Sequence, residues 1–187
     1  MAREFERTLQ DVDKRCRKHG VPYTVIGGMA AIIHGYARTT ADVDVIILTE
    51  IDELERVLEI FSQGYTPLRP NPLAFFKRCL FVPLQNDKTK LRVDVAAALS
   101  GFEKEAIQRS RRKIFHKVEV SVCTVEDLFI MKLVAARAKD DLDLDMLMPM
   151  HRRKLDLKYL RARAREFIEV ERSDVPERLE GLLRKYR

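Results

Sequence analysis

The chain has 187 residues, of which 46% are hydrophobic and 34% charged, a composition that suits a folded globular protein and excludes a disordered one. Its uninterrupted apolar runs, such as residues 29–33, are far too short to span a bilayer, and the start of the chain does not read as a signal peptide. Cys16, Cys79 and Cys123 form no CxxC pair, so neither a zinc cage nor a disulfide framework is expected, and the location expected is cytoplasmic, away from membranes. The net charge of +6 is uneven: residues 151–187 carry 12 Lys and Arg against 7 Asp and Glu, whereas the first 150 carry 23 against 22. Such a tail suits a phosphate-rich partner, and it reads equally well as a solvated helical face with pairs such as Arg165 and Glu169.

In chain order, Phe5, Leu9 and Val12 repeat at helical spacing over residues 4–18, with Gly20 as a stop. Residues 23–26 form a short apolar strand running into Gly27 and Gly28. A small helix follows over 29–34, where His34 reads as a core-edge histidine. Residues 42–48 are β-branched and predict a strand. Thr49 is placed to cap a helix that ends at Gly64, and the three prolines in 67–72 mark a loop. Strands are predicted over 75–82, where Phe75, Phe76 and Phe81 read as core, and over 90–96, with Asn86-Asp87 as the turn between them. A helix over 102–109 and a strand over 117–122 come next. Thr124, with Asp127 three residues on, opens a strong helix. The rest is helical, with breaks predicted at Pro149 and around 173–176. Strands and helices mix early and helices alone finish the chain, which gives an α/β (α+β) domain over residues 1–122 and a helical C-terminal region over 123–187.

One segment combines features that are each common alone. A strand delivers Gly27-Gly28 to a helix start, where bare backbone N–H groups and the helix dipole favour an anion. The next strand carries Asp42 and Asp44, two residues apart and therefore on one face. Two adjacent carboxylates repel unless a cation lies between them. A third acid, Asp94, sits on a later predicted strand beside Arg92 and Ala96. Hard oxygen ligands of this kind suit Mg²⁺, which completes its shell with water and substrate phosphates.

Gly27-Gly28, thirteen intervening residues, Asp42-Val43-Asp44-Val45 and the distant Asp94 resemble the signature of the nucleotidyltransferase superfamily with the polymerase-β-type palm. The resemblance covers roughly residues 20–100 and implies a mixed-sheet palm. Gly28 departs from the many active members that carry Ser there, which removes one hydroxyl donor to the triphosphate. Arg38 and Thr40 precede the aspartates as in the Arg-Thr-Thr-x-Asp-h-Asp form of the family, which implies nucleotide binding by Gly27, Gly28, Arg38 and Thr40.

The stretch from Thr124 through Lys132, followed by Arg137-Ala-Lys-Asp-Asp-Leu-Asp, is similar to the region after the palm in abortive-infection (AbiEii-like) nucleotidyltransferase toxins. That likeness implies a phosphate contact for Lys132, with Arg137, Asp140 and Asp143 as the later motif. It also implies an RNA acceptor such as tRNA and an antitoxin protein partner. Read without the likeness, the same residues make a helix pair with an acidic solvated face. Lys132 nonetheless stands within the apolar stripe of Leu128, Met131 and Ala135, where a bare lysine needs a reason.

The expected reaction moves a nucleoside monophosphate from an NTP to an acceptor hydroxyl. Asp42, Asp44 and Asp94 are the expected catalytic and metal-binding residues, holding two Mg²⁺ ions about 3.5–4 Å apart. Two other readings stay open: a palm that binds nucleotide or a protein partner without turnover, and transfer to a protein or a small molecule such as an aminoglycoside.

Overall fold

A computed structural model describes residues 2–187, which divide into two compact units: the chain up to Ile33 together with Arg38–Cys123, and His34–Ala37 together with Thr124–Arg187. In the first unit, α1 (Ala2–Lys18) precedes β1 (Tyr23–Ile26), α2 (Gly27–Ile33) and β2 (Asp42–Leu48). Then come α3 (Leu54–Phe61), β3 (Tyr65–Pro67), α4 (Pro72–Cys79), β4 (Phe81–Asn86) and β5 (Arg92–Ala98). The unit closes with α5 (Gly101–Arg109), β6 (Arg111–Phe115) and β7 (Val118–Val122). The strands form one mixed sheet in the order β3-β4-β5-β2-β1-β7-β6. The β2–β5 and β1–β7 pairs are parallel, and the remaining pairs are antiparallel. This is an α/β fold built on a mixed seven-stranded sheet.

The two central strands show why the sheet holds together. Val43, Val45 and Ile47 of β2 and Val93 and Val95 of β5 are fully buried. Each such side chain contributes about 1.5–3 kcal/mol on leaving water. Leu9, Val12 and Cys16 of α1, at helical spacing, are equally buried, and α1 packs against β7 and α3. Asn86 makes the β4–β5 turn as expected, its Oδ1 accepting hydrogen bonds from the N–H groups of Lys88 and Thr89, each at 3.0 Å.

Several local expectations are corrected. Residues 75–79 are helical, not extended: Pro72 stands in the first turn of α4 and Leu80, in the left-handed region, ends it by donating its N–H to the Phe76 carbonyl. Pro at that place is preorganised for a helix, and this outweighs the strand preference of the two phenylalanines. Strand β4 therefore starts only at Phe81. Thr49 caps nothing: its hydroxyl donates to the Glu50 carbonyl, and a 3-10 turn at Ile51–Glu53 precedes α3. Strands β3 and β6 were not legible, the first being three residues long and the second opening on three consecutive basic residues.

The second unit contains α6 (Val125–Ala135), α7 (Ala138–His151), α8 (Leu157–Glu166) and α9 (Asp174–Lys185). Thr124 caps α6 as expected, accepting from the Asp127 N–H. Pro149 lies inside α7 and does not break it; the chain turns at 152–156 instead. Pro176 falls in the first turn of α9, after the expected interruption. An additional break occurs at Ala136, whose φ of 52° ends α6. Leu128, Phe129, Ile130 and Leu133 of α6, Leu147 of α7 and Leu160 of α8 form the buried centre of this unit.

Phe76 is fully buried while the adjacent Phe75 is half-buried. Phe76→Ala is expected to cost about 3–5 kcal/mol in urea unfolding, and Phe75→Ala clearly less. Equal losses would contradict the helical register of α4.

Candidate active site

Strand register builds the site. In the parallel β2–β5 pair, Asp44 lies opposite Asp94 and Asp42 opposite Arg92, while in the antiparallel β1–β2 pair Asp44 lies opposite Ile26. Asp42 and Asp44 share a face because they are two residues apart. The outcome is that one carboxylate oxygen from each of Asp42, Asp44 and Asp94 lies within 4.8 Å of the other two. All three residues are half-buried, unlike the valines between them. Like charges directly opposite on a sheet face are unfavourable. Part of the compensation comes from Arg92, whose Nε and Nη2 donate to the two oxygens of Asp94 at 2.7 and 2.8 Å. The hydrogen bond to Asp94 raises the guanidinium pKa above its ordinary value, with smaller contributions from the charges of Asp94, Asp42 and Asp44.

The glycines are tied to the acids. Because Ile26 pairs with Asp44, the chain leaves β1 directly over that carboxylate. A Cβ on Gly27 would lie 2.1 Å from Asp44 Oδ2, and Gly27 has φ of +63°. A side chain is thus excluded both by space and by backbone conformation. At Gly28, a Cβ would lie 2.7 Å from Thr40 Oγ1 and 3.7 Å from Arg38 Cζ. Thr40 Oγ1 donates to Asp42 Oδ1 at 2.9 Å, and Arg38 Nε donates to the Thr39 carbonyl at 3.0 Å. Gly27, Gly28, Arg38, Thr40, Asp42, Asp44 and Asp94 therefore all lie in the first unit around one cluster.

Beside the aspartates is a cleft of about 360 Å³ whose lining includes Ile26, Asp44, Cys79, Leu80, Phe81, Asp94, Ala96 and Glu103. Sequence reasoning set Arg92 beside Asp94 but did not find Phe81, Leu80 or Glu103 as site neighbours. Arg92 carried a signal, its place two residues before Asp94 on the same strand face. Glu103 carried only that of a helix start, since it completes a capping box with Ser100. A larger groove, about 790 Å³, runs along α1 past Arg7, Lys14 and Lys88 and includes none of the three acids.

Lys132, Arg137, Asp140 and Asp143 cluster in the second unit. Lys132 is 3% exposed. Its Nζ donates to Asp140 Oδ1 at 3.3 Å and to Asp143 Oδ2, so in this structure the ammonium faces two carboxylates. Arg137 Nε donates to the second oxygen of Asp140 at 2.5 Å. Burial acts to raise the Asp140 pKa, but the Arg137 hydrogen bond and the Lys132 charge together hold it below the ordinary aspartate value. His34 is buried, and its carbonyl lies 2.8 Å from His151 Nε2 within the same unit. Five of the tail cations are paired with acids: Arg161 with Glu180, Arg163 with Glu166, Arg172 with Asp174, Arg178 with Asp141 and Lys185 with Asp145.

Comparison with known proteins places this geometry in context. A family profile described as "Nucleotidyltransferase of unknown function (DUF6036)" matches residues 3–180. No curated protein matches the chain. The solution structure of the antibiotic-resistance factor ANT(2'')-Ia is similar in fold, with a TM-score of 0.61 at 13% identity, covering 100% of this chain and 98% of that one. A crystal structure of ANT(2'')-Ia in complex with adenylyl-2''-tobramycin gives a TM-score of 0.53 at 15% identity, over 91% and 95% of the two chains. An antigenic nucleotidyltransferase-like protein from Paracoccidioides brasiliensis gives 0.55 at 14% identity, over 92% of each.

Two stability effects follow. Gly27→Ala should destabilise the first unit by about 1–3 kcal/mol through overpacking against Asp44, measured by urea unfolding. Lys132→Met leaves two buried acids facing each other and should cost about 3–5 kcal/mol. The stabilisation from Asp140 is complete above the ordinary aspartate pKa of about 3.9 and is lost as the pH falls through its lower folded-state value. An acid titration in which wild type and Asp140→Asn lose stability in parallel would contradict that role.

Proposed function

The chain belongs to the DUF6036 family of nucleotidyltransferases, and on that premise we propose that it transfers a nucleoside monophosphate from an NTP to an acceptor hydroxyl, releasing pyrophosphate. The observation that carries this reading is the meeting of Asp42, Asp44 and Asp94 within 4.8 Å beside a glycine pair that has no room for side chains. The donor set fits Mg²⁺: all ligands are carboxylate oxygens, half-buried, with open approach from the cleft. Asp42, Asp44 and Asp94 would hold the metal, with a two-ion arrangement as the working form; when bound, it supplies neutralisation of phosphate charge and a lowered pKa for the attacking hydroxyl.

The protein's own part is positioning. Gly27 and Gly28 keep the turn bare so that phosphate oxygens can approach the backbone. Arg38, next to Gly28, is placed to grip a phosphate with two N–H groups. Asp94 is suited to accept the acceptor's hydroxyl proton, once Arg92 yields one of its two contacts. No side-chain nucleophile is needed, since a direct in-line displacement requires only alignment and charge stabilisation.

For the acceptor, the reading is RNA, tRNA included. Among the described residues, Arg153, Lys154, Lys158 and Arg165 of the helical unit stand outside the five ion pairs of the tail, and cations of this kind suit a phosphate backbone. The likeness of residues 124–143 to toxin nucleotidyltransferases adds an antitoxin partner and a cytoplasmic setting to this proposal, with Lys132, Arg137, Asp140 and Asp143 as its later motif. A second reading is a small-molecule hydroxyl. The cleft lining beside Asp44 and Asp94 is apolar with Glu103 and includes no lysine or arginine, and the similarly folded ANT(2'')-Ia has been seen with adenylyl-2''-tobramycin.

Incubation with each α-labelled NTP, Mg²⁺ and either total tRNA or a panel of aminoglycosides tests both readings. Label on RNA is expected, with Asp44→Asn losing more than about 100-fold, the scale of removing one preorganised charge-stabilising group. Label on a small molecule replaces the acceptor and keeps the chemistry. No transfer with intact NTP binding would make this a binding module, and activity retained in Asp44→Asn would refute the site.

A further inference from the structure

Gly28 is not explained by its backbone. Gly27 has a positive φ, but Gly28 does not, and its place in the first turn of α2 is one where a glycine is costly relative to alanine. Space is what the position lacks. A Cβ there would meet Thr40 Oγ1 at 2.7 Å and Thr40 Cβ at 3.2 Å, with Arg38 Cζ behind at 3.7 Å. The hydroxyl that fills this space is engaged, since Thr40 Oγ1 donates to Asp42 Oδ1 at 2.9 Å.

We infer that Thr40 is a positioning residue for the aspartate cluster: its hydroxyl fixes the Asp42 carboxylate, and residue 28 is bare so that this hydroxyl can stand there. The inference rests on reading Asp42, Asp44 and Asp94 as a cation site. A carboxylate held through one oxygen by a hydroxyl keeps its other oxygen directed and loses less rotamer freedom when it takes a cation. Threonine suits the task because its β-branch restricts χ1 and so sets where the hydroxyl lies. Positions 28 and 40 then share one space, and a side chain added at 28 displaces the hydroxyl at 40. Glycine here is a requirement of Thr40, so the absence of a residue-28 hydroxyl is no mark of an inactive site.

The test is binding of Mn²⁺ alone, followed by electron paramagnetic resonance, with thermal melts of the metal-free proteins. Thr40→Val keeps the volume and removes the hydroxyl; it is expected to weaken Mn²⁺ about 10–100-fold, as loss of a ligand's outer partner does. Thr40→Ser keeps the hydroxyl and should bind close to wild type, an order opposite to that of a purely packing role. Gly28→Ser should weaken Mn²⁺ like Thr40→Val and melt lower. Adding Thr40→Ala to Gly28→Ser should raise the melting temperature again, since only the 3.2 Å approach to the residue-40 Cβ remains. Wild-type affinity in Thr40→Val, weak binding in Thr40→Ser, or additive melts in the double variant would each overturn the inference. Equal Mn²⁺ binding by wild type and Asp44→Asn would overturn the cation reading beneath it. That failure is distinguishable, because a failure confined to Thr40 leaves Asp44→Asn alone without binding.

Discussion

Strand β2 is held on both sides at once, antiparallel to β1 and parallel to β5, and this double register constrains everything around the site. It sets Asp44 against Asp94 on one flank and against the end of β1 on the other. From the first pairing comes the gathering of carboxylates; from the second comes the exclusion of a side chain at Gly27, whose Cβ would overlap Asp44 Oδ2. A slip of one residue would send both aspartates to the face where Val43 and Val45 are fully buried. The apolar residues of β2 therefore fix the acids as firmly as any direct contact does. Their burial against the core makes every other register expensive.

Bringing three acids together creates repulsion that neighbouring groups must offset. Arg92 neutralises Asp94 with a two-point contact, while its own side chain is half exposed at 48%. Solvent screens the charge of a cation so exposed. The second unit handles a similar problem differently. Asp140 and Asp143 enclose Lys132, and all three side chains are under 5% exposed. There the cation is built into the chain and sealed from water, which makes the cluster a fixed part of the helical packing. The first cluster is half-buried and lies beside a cleft, with Arg92 bound to Asp94 at its edge. The second is closed and complete.

The basic C-terminal stretch shows how a charge count changes meaning in three dimensions. Much of it is spent within the helical unit, as in the two-point pair of Arg161 with Glu180 across α8 and α9. Arg172 joins Asp174 and also donates to the Val134 carbonyl near the end of α6, so it fastens segments as well as carrying charge. Arg153, Lys154, Lys158 and Arg165 are among the tail cations outside these pairs.

The amino-acid sequence by itself determined the central strands, the Gly-Gly turn, the aspartate spacing and the cap at Thr124. Each is a local matter: alternation of β-branched residues, a backbone that must be bare, two residues per strand repeat, one side-chain oxygen meeting one N–H. It misread residues 75–79, where aromatic residues suit a strand and Pro72 with the packing of Phe76 imposes a helix. Strand β6 also escaped it, because charged edge strands carry no apolar alternation. Only the tertiary structure decided the pairing order that sets Asp94 beside Asp44, the two-point hold of Arg92, the partners of Lys132, and the shared space of Gly28 and Thr40. These depend on contacts between residues distant in the chain or on sub-ångström clearances, and neither composition nor periodicity encodes a distance.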